Sequence, residues 1–212
     1  ADEFHGANGE LRVEERRVNW EILDAWRDAA EQCGIPKIEE FNRGDNFGNA
    51  YFQMNQRNGS RWSGTRAFLR PVLSRKNLTV TIHAHVEKLE LDTANGGRRA
   101  TGVRVRIGKQ AAQIIDARRE VILAAGAIGS PQLLQLSGIG NASLLQEKRI
   151  ALVHDLPGVG ENLQDHLQVR SVYKVSNTVT LNQHANSLPG KIKMGLEYFL
   201  FNLKKPPQQH AS

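Results

Sequence analysis

The stretch Val121-Ile122-Leu123-Ala124-Ala125-Gly126-Ala127-Ile128-Gly129-Ser130-Pro131-Gln132-Leu133-Leu134-Gln135-Leu136-Ser137-Gly138-Ile139-Gly140 decides how the rest of the sequence is read. With Glu120 before it, its apolar opening has no alternation, as in a strand covered on both faces, and predicts a parallel sheet. Ala124, Ala125 and Gly126 then remove side-chain bulk at a strand end, the edge where open α/β sheets bind ligands. Ser130 and Pro131 predict a helix start, with Ser130 as its cap, and Gly138 and Gly140 predict the stop. A positive helix end beside small residues suits a phosphate-bearing ligand, although small residues also serve simply to pack a strand against a helix.

Outward from this stretch, the pattern continues to mix periods of two and of 3.6. Asn19 is expected to cap a helix running through Trp20, Leu23 and Trp26 to Gly34 and Pro36. Residues 41–64 are rich in Asn, Gly, Arg and Gln without a period, which predicts a long loop. Thr65 to Leu73 predicts a short helix broken at Pro71, and Asn77 to Ile82 alternates like a strand. Val86 to Leu91, Gly102 to Ile107 and Ala112 to Ile115 predict a β-meander, with Asn95-Gly96-Gly97 as a turn. Further on, Ser143 to Lys148 predicts a helix, Val169 to Val175 a strand and Leu188 to Leu203 a helix.

Composition narrows the function classes. With 40% hydrophobic and 24% charged residues among 212, the chain has the make-up of a globular protein. The formal charge of +6 is spread over separated pairs such as Arg16-Arg17 and Arg118-Arg119, with acidic neighbours, so no nucleic-acid partner is expected. A lone cysteine, Cys33, excludes an intrachain disulfide framework and fits a reducing, cytoplasmic setting. No run approaches the roughly 20 apolar residues of a spanning helix. The apolar residues of 194–203, flanked by Lys191, Lys193, Lys204 and Lys205, fit a core face and, as a lesser reading, peripheral membrane association. His83 and His85 share a strand face, but no third ligand accompanies them, so no metal is expected.

The string Gly126-Ala127-x-x-Ser130-Pro131-x-Leu133-Leu134-x-x-Ser137-Gly138-Ile139-Gly140 resembles the second signature of the glucose-methanol-choline (GMC) oxidoreductases. Other segments agree in order: His5-Gly6 with Gly9, Arg61 to Pro71 with Asn77 to Val80, Thr101-Gly102-Val103, and Gly158-Val159-Gly160-Glu161-Asn162-Leu163-Gln164-Asp165-His166. The likeness spans roughly residues 3 to 203 and leans to the choline and alcohol dehydrogenases of the family.

The resemblance implies a mixed α/β chain holding a partial, Rossmann-like FAD-binding domain with a β-meander, and part of a substrate-binding domain. Residues 1–70 would belong to an FAD and substrate-domain region, 71–160 to the FAD-binding domain, and 161–212 would begin the substrate domain. It implies FAD as cofactor, a small primary alcohol as substrate and a separate electron acceptor. Val86 would touch the adenine through its backbone N–H and C=O, and Ala124, Ala125 and Gly126 would form the strand end beside FAD. Adjacent Asp165 and His166 are expected to shape a loop, since neighbouring side chains point apart. The family's catalytic base lies nearer the C-terminus than anything here, so no catalytic residue is assigned.

The Gly-x-Gly-x-x-Gly string that seats a dinucleotide pyrophosphate is not in the sequence, which marks the chain as an expected internal piece of a longer enzyme, inactive alone. Three rival readings stand beside this one: an inactive truncated gene product, a non-enzymatic basic binding module, and a nicotinamide-linked dehydrogenase, which the absent Gly-rich string disfavours equally.

Overall fold

A computed structural model of the chain describes residues 3–17, 19–94 and 99–204. The chain divides into two compact units, Ala1–Thr79 with Ser171–Ser212, and Val80–Arg170.

In the first unit, helix α1 spans Glu21–Gln32. Its N-cap is Trp20, in extended backbone and without a side-chain cap, so the helix starts one residue later than Asn19 predicts. The carboxylates of Glu21 and Asp24 in the first turn complement the positive helix end in place of a cap. The segment 41–64 is irregular but anchored. Buried Asn49 donates to the carbonyls of Ile35 (2.9 Å) and Pro36 (3.1 Å) and accepts from Arg27 Nε (3.2 Å), fixing the loop to the helix end. Two short strands, β1 (Gln56–Arg57) and β2 (Ser60–Arg61), pair across Asn58-Gly59. Both turn residues have positive φ, 53° and 73°, the geometry that Asn-Gly favours in a two-residue hairpin. That signal lies in plain view in the sequence, yet the high polarity of 41–64 points to loop alone.

The expected helix 65–73 forms as a wide π-type turn, Thr65–Leu69, followed by a 3₁₀ turn, Arg70–Val72. Pro71 has no N–H to continue an α-helical ladder, which accounts for the change of winding. Tyr51 donates to Asp24, and the guanidinium groups of Arg16 and Arg27 lie over its ring. Partial burial and then the Asp24 bond raise the Tyr51 phenol above its ordinary value. Lys37 is likewise raised, first by its bond to Asp28 and then by Glu31. The later part of this unit holds α4 (Leu181–Ala185) and α5 (Leu188–Lys204), on which Leu188, Ile192, Leu196 and Leu200 are exposed.

The second unit is built on an antiparallel meander, β3 (Ala84–Asp92), β4 (Arg99–Ile107) and β5 (Gln113–Asp116), in the spatial order β3-β4-β5. The three strands appear where the alternation predicts them; the Asn95-Gly96-Gly97 turn lies outside the described residues. Leu89 and Val105 are buried, and cross-strand pairs Arg104–Glu90 and Arg106–Glu87 line the sheet. The register slips at Val86/Lys88, leaving Glu87 as an extra residue on β3.

Helix α2 (Gly126–Leu136) follows, then β6 (Ile139–Gly140), α3 (Ala142–Glu147) and β7 (His154–Asp155), with β6 and β7 paired in parallel. Asn141 caps α3, accepting from Leu144 N–H at 3.0 Å, and Asp155 accepts from Ala142 N–H at 3.0 Å. Leu145, almost completely buried, sits under this turn.

Three predicted strands do not form. Residues 77–82, 120–123 and 169–175 are extended or irregular, with Ile82, Ile122 and Val172 well exposed. Alternation or an apolar run marks which faces want cover, but a strand also needs a hydrogen-bonding neighbour. None of the described segments supplies one. Elsewhere, no helix of the described residues is long and apolar enough to cross a membrane.

Candidate functional site

The predicted cofactor residues sit on two elements of the second unit, β3 and the turn into α2. Val86 is half-buried on β3, an edge strand. His83 C=O accepts from Gly108 N–H at 2.9 Å, so residues 83 and 108 form a bonded pair. Antiparallel bonding alternates, and Val86 faces Val105 in a non-bonded pair. Its N–H and C=O therefore point off the open edge of the sheet.

Ala124, Ala125 and Gly126 are exposed at the start of α2. Gly126 has φ +83°, a left-handed conformation that glycine alone adopts without strain. A methyl group built there would meet nothing within 4 Å. The glycine is thus required by its backbone angle and not by a crowded contact.

Ser130 and Pro131 lie inside α2, which begins five residues before Pro131. The predicted cap is therefore corrected: Ser130 Oγ reaches back to accept from Ala125 N–H at 3.1 Å, because the left-handed turn at Gly126 starts the helix early. Pro131 has no N–H to offer Ala127 C=O, one turn earlier. The amides of Gly126, Ala127 and Ile128 keep no intrahelical partner at this exposed, positive end.

The other end of α2 is tied down. Ser137 Oγ accepts from Leu89 N–H at 2.8 Å and donates to Leu133 C=O at 2.5 Å, and Ser137 is buried. This couples α2 to β3, the strand that carries Val86. Nothing local in the sequence announces the bond, since its partners are 48 residues apart. Gly138 ends the helix with φ +85°, and a methyl there would strike Ala151 C=O and Val153.

Other candidates separate from this site. Asp165 Oδ1 accepts from the adjacent His166 N–H at 2.7 Å, so the carboxylate serves its own loop rather than the imidazole. His83, with φ 54°, lies outside β3, and His85 lies within it. Among the described residues no group of three or more His, Cys, Asp or Glu side chains is placed to hold a metal ion. A separate open cleft of about 450 Å³ in the first unit lies among Asn8, Glu10, Arg12, Glu14, Arg57 and Asn58 and has mixed charge.

The chain belongs to the GMC oxidoreductase family, whose model matches residues 2–168. The matched part is the FAD-binding region of that family. Among curated relatives, an oxygen-dependent choline dehydrogenase of Pectobacterium atrosepticum is 42% identical over 184 residues, covering 85% of this chain and 32% of the relative. Mouse mitochondrial choline dehydrogenase is 39% identical over 199 residues, covering 93% of this chain and 32% of the relative. The chain thus spans about a third of the length of these relatives.

Among solved structures, pyridoxine 4-oxidase from Mesorbium loti superposes with a TM-score of 0.63 at 31% identity, over 72% of this chain and 29% of that one. An FAD-dependent oxidoreductase from Chaetomium thermophilum gives 0.66 at 29% identity, over 72% and 26%. The fold is therefore the mixed helix-and-strand fold of these FAD-dependent oxidoreductases, carried here as part of a domain.

Proposed function

We propose that this chain forms the adenine-side part of an FAD site in an enzyme that oxidises a primary alcohol, choline or one like it, to the aldehyde. Two observations support the reading: an edge strand whose Val86 peptide groups point away from β4, and an exposed, left-handed start of α2 at Gly126. FAD, when bound, would accept the hydride from the alcohol carbon and pass electrons to an acceptor.

The chain's own residues bind and orient. Val86 offers one donor and one acceptor, the pair an adenine edge requires, with its side chain held on the sheet. Ala124, Ala125 and Gly126 let backbone approach the cofactor closely, because none carries bulk beyond Cβ. The free amides of the first α2 turn favour an anionic group. Ser137 holds β3 and α2 together and so sets the spacing of the two contacts. Proton transfer is left to residues outside this set.

Titration of FAD into the purified chain, followed by flavin fluorescence, tests the binding claim. Saturation at one FAD per chain, competed by ADP and not by riboflavin, is expected; absence of saturation, or equal competition by riboflavin, sinks it. The activity is tested separately by replacing the matching region of the Pectobacterium atrosepticum enzyme with residues 2–168. Retained choline-dependent acceptor reduction supports the reading, and a folded, flavin-loaded but inactive chimaera counts against it.

A further inference from the structure

The Gln135 side chain lies between two glycines that are distant in sequence. A methyl on Gly140 would come within 3.1 Å of Gln135 Cγ, and one on Gly160 within 2.8 Å of Gln135 Nε2. Gln135 Nε2 also donates to Val159 C=O at 3.1 Å. Gly140 belongs to β6, whose carbonyl accepts from Leu156 N–H at 3.0 Å, and Gly160 has φ +88° at the end of the 157–160 turn. Gln135 therefore lies close against both glycines, with its amide on the turn.

Ser137, two residues on, caps the end of the same helix and is bonded to β3. One stretch of α2 thus fixes the sheet through Ser137 and the 157–160 turn through Gln135. After the turn, 161–166 has no regular structure and its residues are exposed, so the turn is where that segment obtains its bearing on α2.

We propose that Gln135 is a positioning residue that sets the place of the 157–160 turn, and of the segment 161–166 after it, relative to the helix whose first turn faces the cofactor. Its bearing on a cofactor rests on the function proposed above; its hold on the turn does not. The donor N–H is the working part, since a side chain of equal bulk without it can fill the same space but cannot bond Val159.

The test uses the full 212-residue chain and hydrogen exchange read by peptide. Gln135→Met keeps the volume and removes the donor. It is expected to raise exchange in 157–161, where the Val159 and Glu161 amides bond Leu156 and Gly158 C=O, roughly five- to tenfold, the effect of one lost hydrogen bond, while residues 99–107 exchange as in the parent. Gln135→Glu supplies a donor only when protonated. It should exchange like Gln135→Met at neutral pH and approach the parent, compared at equal pH, as the carboxyl takes up its proton. A purely packing role would not show that pH-dependent rescue.

Parent-like exchange of 157–161 in both variants overturns the proposal, as does increased exchange in Gln135→Glu with no rescue. Should Gln135→Met lose protection in 99–107 as well, a double-mutant cycle decides. Gly160→Ala crowds the Gln135 amide, so Gln135→Ala must cost less stability in that background than in the parent, and additive effects refute the contact. FAD titration of the same variants separates the two claims. Failure of every form to bind FAD sinks the flavin reading and leaves the exchange result to judge Gln135.

Discussion

Replacing Ser137 with Ala removes one oxygen from the junction of α2 and β3, and the structure fixes what that oxygen does. It accepts the Leu89 N–H at 2.8 Å, in a setting where Leu89 and Ser137 are each 7% exposed. It also donates to Leu133 C=O, but that carbonyl keeps the Ser137 backbone N–H at 3.1 Å. The loss therefore falls on Leu89, whose buried amide is left without an acceptor, at a cost of about 1–3 kcal/mol. For a chain of this size that lowers the unfolding midpoint by roughly 2–12 °C.

Thermal unfolding should be followed by circular dichroism, because Trp20, Trp26 and Trp62 all lie in the other unit. Exchange of the Leu89 amide reports the bond itself. Ser143→Ala, on the exposed face of α3, is the control and should change little. A Ser137→Ala chain within about 0.5 kcal/mol of the parent, with Leu89 exchange unchanged, would refute the reasoning.

Three further outcomes follow from the same geometry. Gly126→Ala should cost about 1–2 kcal/mol through its positive φ, with no steric term, as urea unfolding can measure; a neutral result would mean the left-handed start is not kept. Val86→Pro removes an N–H directed off the sheet edge. FAD affinity should fall while protection of the β4 amides persists, and undiminished FAD binding would remove Val86 from the site. Tyr51 and Lys37 both have raised values in the folded chain, so each holds its proton more tightly when folded. Their contribution is present below the ordinary values, 10.0 and 10.5, and is lost as pH rises through the raised ones. Tryptophan fluorescence should thus show the first unit loosening in alkali. Tyr51→Phe together with Lys37→Met should flatten that dependence, although solvent screening keeps it small.

Legibility in the sequence followed the range of the interaction. The meander strands and the helices that hold Pro131 and Ser143 are visible because alternation, apolar spacing and helix-start residues act within a few positions. Gly126 was visible too, although its reason is a backbone angle and not a crowded contact. Ser130 was placed at a helix start, which the left-handed turn moved forward, so its hydroxyl bonds Ala125 instead. Runs at 77–82, 120–123 and 169–175 carry strand patterns without strand partners, since pairing is set by segments elsewhere. The bonds from Ser137 to Leu89 and from Gln135 to Val159 leave no local trace. Each depends on where two segments distant in sequence come together.

The extra residue at Glu87 has a bearing on how this protein behaves in concentrated solution. An uncovered strand edge invites a strand from another molecule, and a regular ladder would let that guest zip along its whole length. At Glu87 the spacing of outward peptide groups is broken, and the side chain there is a carboxylate held by Arg106. A guest strand that bonds at Ala84 and Val86 loses register one step later. The rim can stay open for a small planar molecule of two hydrogen bonds while offering polymerisation too short a template to propagate.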